Sequence, residues 1–328
     1  MNPLSALYSL GAGAKNYAYD HGWLTPQRLT WPVISVGNLS VGGSGKTPFV
    51  ILLGQLLRRH GYFITVLSRG YRRESNTVEL VDSTGEPARF GDEPLLISRK
   101  LNAPVFVGAE RYRCGLLAEN KFTEYREAGQ GKDAHIPRAV HILDDGFQHR
   151  LLARSFDIVL LPPEDLKGTL LPTGRLREGL RSLRRAHAVV LTAGTQLDAL
   201  PDFARENAYV LERSLVIKDT PKRPLAFCGI AKPERFFADL KKLGIQTVAE
   251  VTFRDHHRYS PQDIAMLLEK KRPSGADGFV TTEKDRINLG ELAARMSPLA
   301  VAELRLELQE EERFVKALMA VIAGDHKE

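Results

Sequence analysis

A glycine-rich stretch with one lysine and one threonine carries the clearest chemistry in the sequence. Its residues are Ser40, Val41, Gly42, Gly43, Ser44, Gly45, Lys46 and Thr47. Glycines let backbone N–H groups converge on phosphate oxygens, while Lys46 supplies a positive charge and the Thr47 hydroxyl can ligate Mg²⁺. Apolar residues 33–36 predict a strand before the stretch, and residues 48–57 predict a helix after it. This order predicts a nucleoside triphosphate site.

The loop departs from the usual phosphate-loop spacing, G-x-x-x-x-G-K-[ST], at its first position, where Ser40 replaces glycine. It also resembles the deviant loop of partitioning and metal-carrier ATPases. Those proteins have a signature lysine just before the Gly-Gly pair, where this chain has Val41. Val41 therefore argues against an ATPase switch or a carrier protein. Such a protein stays open as the alternative function.

Two acidic pairs stand at predicted ends of strands or helices. Asp144 and Asp145 follow the apolar residues 140–143, an arrangement in which carboxylates hold Mg²⁺ downstream of a phosphate loop. An Asp-Asp-Gly turn is the alternative interpretation. Asp92 and Glu93 precede a predicted helix, where residue type alone predicts helix caps.

Basic side chains cluster in two further places. Arg69 and Tyr71 follow a predicted strand, and guanidinium groups pair with phosphate while an aromatic ring can stack on a sugar. Residues 175–185 hold five arginines and one acid, Glu178. A solvated surface is the alternative for both clusters. The two histidines of residues 253–259 lie in a predicted loop, where a histidine is usually solvated.

Strands that alternate with helices must bring these side chains together. The alternation predicts an α/β fold, a P-loop NTPase-like α/β/α sandwich with a second, smaller α/β domain. We expect an amphipathic, membrane-associating segment at 1–24, a kinase-type P-loop domain at 25–215 and a smaller domain at 216–328. Residues 1–24 lack a signal-peptide pattern, so we expect them to be retained. The polar residues 123–138 predict an exposed connection.

Composition narrows the classes of partner. The 328 residues are 43% hydrophobic and 26% charged, with no apolar run long enough to span a bilayer. A net charge of +6 favours an anionic partner, which could be a nucleotide, a nucleic acid or an acidic membrane surface. Cys114 and Cys228 lack metal-ligand spacing, so a reducing cytoplasm is the default expectation.

Several of these motifs together, in this order along the chain, resemble the tetraacyldisaccharide 4'-kinase family of lipid A biosynthesis. They are Gly37 to Pro48, Ser68-Arg69-Gly70-Tyr71, Gly91-Asp92-Glu93-Pro94, Asp144-Asp145-Gly146-Phe147-Gln148-His149, Pro172-Thr173-Gly174-Arg175-Leu176-Arg177-Glu178, Asp255-His256-His257 and Thr281-Thr282-Glu283-Lys284-Asp285. The resemblance spans nearly the whole chain.

The resemblance implies a kinase that transfers the γ-phosphoryl group of ATP, with Mg²⁺, to the 4'-hydroxyl of a lipid disaccharide 1-phosphate. It implies a peripheral protein on the cytoplasmic face of the inner membrane in Gram-negative bacteria. The partners implied are the lipid A disaccharide precursor and the anionic membrane surface. Neither a nucleic acid nor an obligate protein partner is implied.

The resemblance also assigns roles to residues. Asp92 would accept the proton of the sugar hydroxyl, and His256 would orient it, with His257 open as the alternative histidine. Lys46 and the loop amides would hold the phosphates, and Thr47 with Asp144 or Asp145 would organise Mg²⁺. Carboxylates near the metal or active site would be Glu93 and Glu178. Contacts to the disaccharide or its phosphate would be Asn38, Arg69, Tyr71, Arg111, His149 and Arg177.

Overall fold

Twelve strands form one mixed sheet in the computed structural model, which describes residues 3–125, 138–192 and 194–324. The strands are β1 Val33–Asn38, β2 Phe63–Ser68, β3 Glu79–Leu80, β4 Val105–Val107, β5 Ala139–Asp144, β6 Phe156–Leu161, β7 Ala188–Leu191, β8 Ala208–Ile217, β9 Pro224–Cys228, β10 Ala249–Thr252, β11 Gly278–Thr282 and β12 Leu299–Leu308.

Helices connect most of the strands, because parallel neighbours need a crossover connection. Within the described ranges they are α1 Pro3–Asp20, α2 Lys46–Arg59, α3 Pro87–Phe90, α4 Asp92–Leu101, α5 Arg111–Tyr125, α6 Pro163–Leu166, α7 Asp202–Arg205, α8 Pro233–Lys242, α9 Pro261–Ser274, α10 Glu283–Leu289 and α11 Glu311–Ile322, with 3₁₀ helices at Leu180–Arg185, Leu197–Ala199 and Gly290–Arg295. None of these helices is both long and apolar enough to cross a bilayer.

The strand order is β10-β9-β11-β12-β8-β7-β6-β1-β5-β2-β4-β3. Neighbours are parallel except β8 with β12 and β3 with β4. Strand β8 joins the two halves of the sheet, because residues 208–210 pair with β7 and residues 211–217 pair with β12. The predicted domain boundary at residue 215 therefore falls inside a strand shared by both halves, and the division stays a prediction.

Burial explains why the central strands are continuous apolar runs. Strands β1, β5 and β6 are buried along their whole length, since helices cover both faces of a parallel sheet. The last helix, α11, returns to the first half of the chain, where the Phe314 ring packs edge-on against Phe49 and Phe156. The C-terminal residues thus help to close the core beneath the phosphate loop.

The predicted α/β fold is confirmed, and four elements differ from the sequence prediction. Helix α4 begins at Asp92, so Asp92 and Glu93 lie in its first turn and not before it. Residues 210–216, for which the sequence predicts an extended connector, belong to β8, a central strand whose half-exposed residues weaken the apolar pattern. Strand β12 and helix α11 had not been predicted at all. The predicted connection at 123–138 lies mostly outside the described residues, and its first three residues end α5.

Candidate active site

A cavity of about 640 Å³ opens at the carboxyl ends of the central strands, the edge where open α/β sheets bind ligands. Both halves of the sheet line it. The first half contributes the loop residues 41–47, Arg69, Tyr71, Glu93, Asp144, Asp145 and Arg177, and the second contributes Asp255, His256 and Lys284.

Strand β1 ends in a buried asparagine that shapes the glycine-rich loop. The Asn38 Nδ2 donates to the Ser40 carbonyl oxygen at 2.8 Å, and its Oδ1 accepts from Lys46 Nζ at 3.2 Å. Gly45 has φ 83°, a left-handed conformation that glycine adopts without strain, and α2 begins at the next residue. The loop therefore places Lys46 at the positive end of a helix, facing the cavity.

The position that departs from the phosphate-loop pattern has its own support. Ser40 is buried, and its side chain hydrogen-bonds Asp165 of α6. The backbone N–H of the next residue, Val41, donates to the Arg175 carbonyl at 2.8 Å, and the Arg175 side chain donates to the Val41 carbonyl. Serine is thus accommodated because two remote segments hold the start of the loop.

The acidic pair follows β5, which lies beside β1 with Asp144 in register with Val36. Asp144 accepts a hydrogen bond from Ser68 Oγ at 2.9 Å. Burial raises the pKa of Asp144 to about 7, and the charges of Glu93 and Asp145 add to the rise. A carboxylate surrounded in this way by negative charge is a favourable place for a cation.

Asp145 is held in its charged form. Burial raises the pKa of its carboxyl group, but Lys46 and Arg177 outweigh that effect and hold the pKa below its usual range. Its Oδ1 lies 3.4 Å from Lys46 Nζ, and its Oδ2 lies 3.1 Å from Arg177 Nη1. Its backbone φ is 52°, a strained conformation for a residue with a side chain.

Asp92 and His256 meet across the two halves of the chain. His256 Nδ1 lies 2.8 Å from Asp92 Oδ2 and 3.1 Å from Oδ1. Asp92 also accepts from the Glu93 backbone N–H at 2.9 Å, so its carboxylate also satisfies a backbone donor in the first turn of α4. Burial raises its pKa, yet the contacts with His256, Lys284 and Asn288 outweigh burial and lower it. Asp92 is therefore charged at neutral pH.

The other histidine of the loop is occupied elsewhere. His257 Nε2 lies 3.0 Å from Asp263 Oδ2, and its ring stacks on Phe253. The structure thus pairs Asp92 with His256, the histidine preferred from the sequence.

A glycine fixes the loop that carries His256. Gly229 follows β9, and a Cβ added there would lie 2.9 Å from the Arg254 carbonyl oxygen. The Gly229 carbonyl accepts from the His256 backbone N–H at 3.1 Å, while Asp285 Oδ1 accepts from the Gly229 N–H at 2.8 Å. His256 itself has φ 58°. Close approach and a strained backbone together aim its ring at Asp92.

Sequence reasoning gave no role to Lys284, which the structure places beside this pair. Its Nζ lies 3.1 Å from His256 Nε2 and 3.2 Å from Asp255 Oδ1. The Thr-Thr-Glu-Lys-Asp motif at the end of β11 was the available signal, since it sets a lysine at the carboxyl edge of the sheet.

Five of the six predicted acceptor contacts fall into two groups. Arg69, Tyr71 and Arg177 line the cavity. Arg111 and His149 do not line it but lie in the basic cluster around Arg69. Burial and the charges of nearby basic side chains, Arg111 first among them, lower the pKa of His149 to about 4.

Two predicted site residues have other tasks. Asn38 is wholly buried beneath the loop, where its side chain supports Lys46, and its contact with the acceptor stays a prediction. Glu178 is absent from the cavity lining and accepts from Arg185 Nη2 at 2.7 Å and Asn16 Nδ2 at 3.0 Å. The prediction of a metal ligand is not supported there, because the carboxylate anchors α1 to the arginine-rich segment.

Polar contacts join the two halves around the cavity. Lys232 of the second half pairs with Glu164 at 2.5 Å, and Arg72 donates to the Asp255 carbonyl at 2.8 Å. Arg258 also pairs with Glu74 at 2.7 Å. These contacts hold the second half against the loop edge, so that His256 reaches Asp92.

A phosphate loop after β1, an acidic pair on the adjacent strand and a buried carboxylate–imidazole pair define a P-loop phosphotransferase of the α/β class.

Known proteins support that assignment. The family model for tetraacyldisaccharide-1-P 4'-kinase (LpxK) matches residues 1–323. The tetraacyldisaccharide 4'-kinase of Koribacter versatilis (strain Ellin345) is 47% identical over 332 residues, covering 98% of each chain. That of Aquifex aeolicus (strain VF5) is 35% identical over 336 residues, covering 97% of each. The solved structure of LpxK from Aquifex aeolicus in complex with ATP has a TM-score of 0.78 at 33% identity, covering 98% of each. The chain belongs to the tetraacyldisaccharide 4'-kinase family, the ATP-dependent 4'-kinases of lipid A biosynthesis.

Proposed function

We propose that this chain transfers the γ-phosphoryl group of ATP to the 4'-hydroxyl of a tetraacyldisaccharide 1-phosphate. The observation that carries the proposal is the contact of Asp92 with His256 in the cavity that Lys46 also lines. An ATPase switch has no need for a proton acceptor facing a second substrate, whereas transfer to a hydroxyl does. Val41 in place of a signature lysine also disfavours the switch.

The imidazole, rather than the carboxylate, borders the cavity. His256 is a lining residue, while Asp92 lies behind it with its side chain 6% exposed. We therefore assign proton acceptance to His256 Nε2 and orientation of the ring to Asp92, the reverse of the roles that the resemblance implied. The hydroxyl proton would pass to Nε2 as the oxygen attacks the γ-phosphorus and the bond to ADP breaks.

Positive groups would hold the phosphates of ATP. The amides of loop residues 41–47 and the Lys46 ammonium face the cavity, where they can bind phosphate oxygens and neutralise developing charge. Arg69 and Arg177 line the same cavity and are suited to the acceptor's phosphate.

The acidic residues fit Mg²⁺. Burial first, and then the negative charges of Glu93 and Asp145, raise the pKa of Asp144, and a cation would offset both effects. Thr47, Glu93 and Asp145 line the same cavity as this carboxylate. Among the described residues no group of three or more His, Cys, Asp or Glu side chains is arranged to hold a metal ion by itself. Bound there, Mg²⁺ would offset phosphate charge, with Thr47, Asp144 and Asp145 as its protein ligands and Glu93 nearby.

A peripheral position on the cytoplasmic face of the inner membrane fits the lipid acceptor. Tyr17, Trp23 and Leu24 are exposed at and just after the end of α1, and the chain carries a net charge of +6. Exposed aromatic side chains and basic charge both favour an anionic lipid surface. No nucleic acid or obligate protein partner is part of the proposal.

The test is to incubate the protein with γ-labelled ATP, Mg²⁺ and a lipid A disaccharide precursor in detergent. We expect label in the lipid, and a loss of about 100-fold or more in His256→Gln. His257→Gln is the matched control and should keep its rate, because that ring contacts Asp263 instead. Release of labelled phosphate without labelled lipid would overturn the proposal in favour of the ATPase switch.

A further inference from the structure

Lys284 occupies a fixed place at the start of α10. Thr282 caps the helix by accepting from the Asp285 backbone N–H at 3.2 Å, and Glu283 accepts from the Leu304 backbone N–H at 3.3 Å. Lys100 of α4, the helix that begins at Asp92, also pairs with Glu283. The lysine therefore projects from a short helix that is tied directly to the helix of Asp92.

The contact between Lys284 and His256 constrains the proton on the ring. An ammonium group has three donors and no acceptor, so Nε2 must be the acceptor in the 3.1 Å contact. The ring proton then lies on Nδ1, which donates to Asp92 Oδ2 at 2.8 Å. If the ring proton lay on Nε2, this N–H would face the N–H donors of Lys284, and Nδ1 would have no proton to donate to Asp92.

We propose that Lys284 is a positioning residue for phosphoryl transfer, which holds His256 in the Nδ1–H tautomer with the Nε2 lone pair available to the acceptor hydroxyl. The inference rests on the proposed role of His256 as proton acceptor. Asp92 orients the ring from one side, and Lys284 from the other. Without Lys284, only Asp92 would select the tautomer.

The surroundings of the lysine suit this task. Its Nζ lies 3.2 Å from Asp255, 3.8 Å from Asp92 and 4.0 Å from Glu93, and the side chain is 18% exposed. The ammonium therefore stays paired with carboxylates when a hydroxyl takes its place at Nε2. A lysine already surrounded by three carboxylates is less suited to act mainly as a phosphate ligand.

The test compares Lys284→Met with Lys284→Arg, which keeps a donor. We expect Lys284→Met to lower kcat by about 10- to 100-fold, the range for groups that orient a reacting side chain, with KM for ATP changed less than about two-fold. Lys284→Arg should recover most of the loss. Long-range ¹H–¹⁵N spectra of the imidazoles should show Nδ1 protonated in the wild type and a mixture of tautomers in Lys284→Met.

Lys270→Met is the matched control, since it removes an exposed lysine of α9 that has no part in the contacts of Lys284 or His256 described above. It should leave kcat and the ring spectra unchanged. If Lys284→Met does not fold, Lys284→Gln, which keeps a neutral donor, replaces it and should keep the Nδ1–H tautomer with an intermediate kcat.

An unchanged tautomer in Lys284→Met would overturn the proposal. A rise in KM for ATP in place of the fall in kcat would also overturn it and assign the lysine to phosphate binding. The proposed function can fail separately: if His256→Gln kept its transfer rate, His256 would not be the proton acceptor, even where the spectra still showed that Lys284 sets the tautomer.

Discussion

The phosphate loop and the Asp92–His256 pair line or border one cavity, but they are built in opposite ways. The loop takes its groups from one stretch, residues 38–47, between a strand and the helix that follows it. The pair joins residues 164 positions apart, on α4 and on the loop after β10. The loop takes its phosphate-binding groups from one short segment, with Asp165 and Arg175 supporting its start. The pair needs the whole sheet to place two distant segments within hydrogen-bond distance.

This difference shows in the backbone and in the supporting contacts. The loop bends at glycines such as Gly42 and Gly45, which adopt positive φ without strain. Outside the loop, Arg72, Asp145 and His256 have positive φ despite their side chains. Remote contacts supply the free energy that holds such conformations. A locally built site can be read from sequence, while one built from distant segments depends on the completed fold.

The strongest test of the phosphate loop is Lys46→Met, which removes the positive charge that the loop presents. We expect kcat/KM for ATP to fall by about 100- to 1000-fold, the effect of losing one preorganised group that stabilises transition-state charge. Steady-state kinetics with the lipid acceptor measure it. The same substitution at the exposed Lys270 is the control and should change neither constant. Comparable rates in both variants would contradict the phosphate-binding role of Lys46.

The same contrast explains how much the sequence could predict. The strand, loop and helix around Lys46 were predictable because glycine, charge and periodicity all lie within one short window. The acidic pair after β5 was predictable for the same reason, as was the α/β class of the fold. Asp92 looked like a helix cap until the family resemblance gave it a catalytic role, since residue type cannot show a partner 164 positions away.

Other features depended on the three-dimensional structure alone. Lys284 had no predicted role, because its contact with His256 arises only when α10 packs beside α4. Asn38 was taken for an acceptor contact, but the turn of the loop buries it under Lys46. Glu178 was expected near the metal, while Arg185 and Asn16 bind its carboxylate. For Lys284 and Glu178 a contact from outside the motif determines what the side chain does, and for Asn38 the turn of the loop itself does.

The basic cluster around Arg69 gives a test with an expected effect of intermediate size. Burial, with Arg111 and other basic neighbours, lowers the pKa of His149 to about 4 in the folded chain, against about 6.5 when unfolded. As the pH falls below 6.5, the unfolded chain binds this proton first, so stability is lost between pH 6.5 and 4. In His149→Gln the free energy of unfolding should fall by about 1 to 2 kcal/mol less over this pH range than in the wild type. This figure allows for solvent screening, because the ring is only partly buried.

Urea unfolding at a series of pH values measures this effect. Above pH 7 the two proteins should differ little in their dependence on pH, because His149 is neutral in both states. If the stability curves of the wild type and His149→Gln stayed parallel from pH 6.5 to 4, the ring would not be desolvated among basic side chains. The distant segments would then converge less closely at this end of the cavity than the structure shows.

The smallest expected effect tests backbone strain at the remotely assembled pair. His256 has φ 58°, so alanine there keeps the strain of a left-handed residue while glycine relieves it. His256→Gly should therefore be more stable than His256→Ala by about 1 kcal/mol in urea unfolding, although both lose the imidazole. At His257, whose φ is not positive, the order should reverse because glycine costs more backbone entropy. If the alanine variant were the more stable one at both positions, the loop would relax around His256. Asp92 and Lys284, rather than the backbone, would then aim the ring.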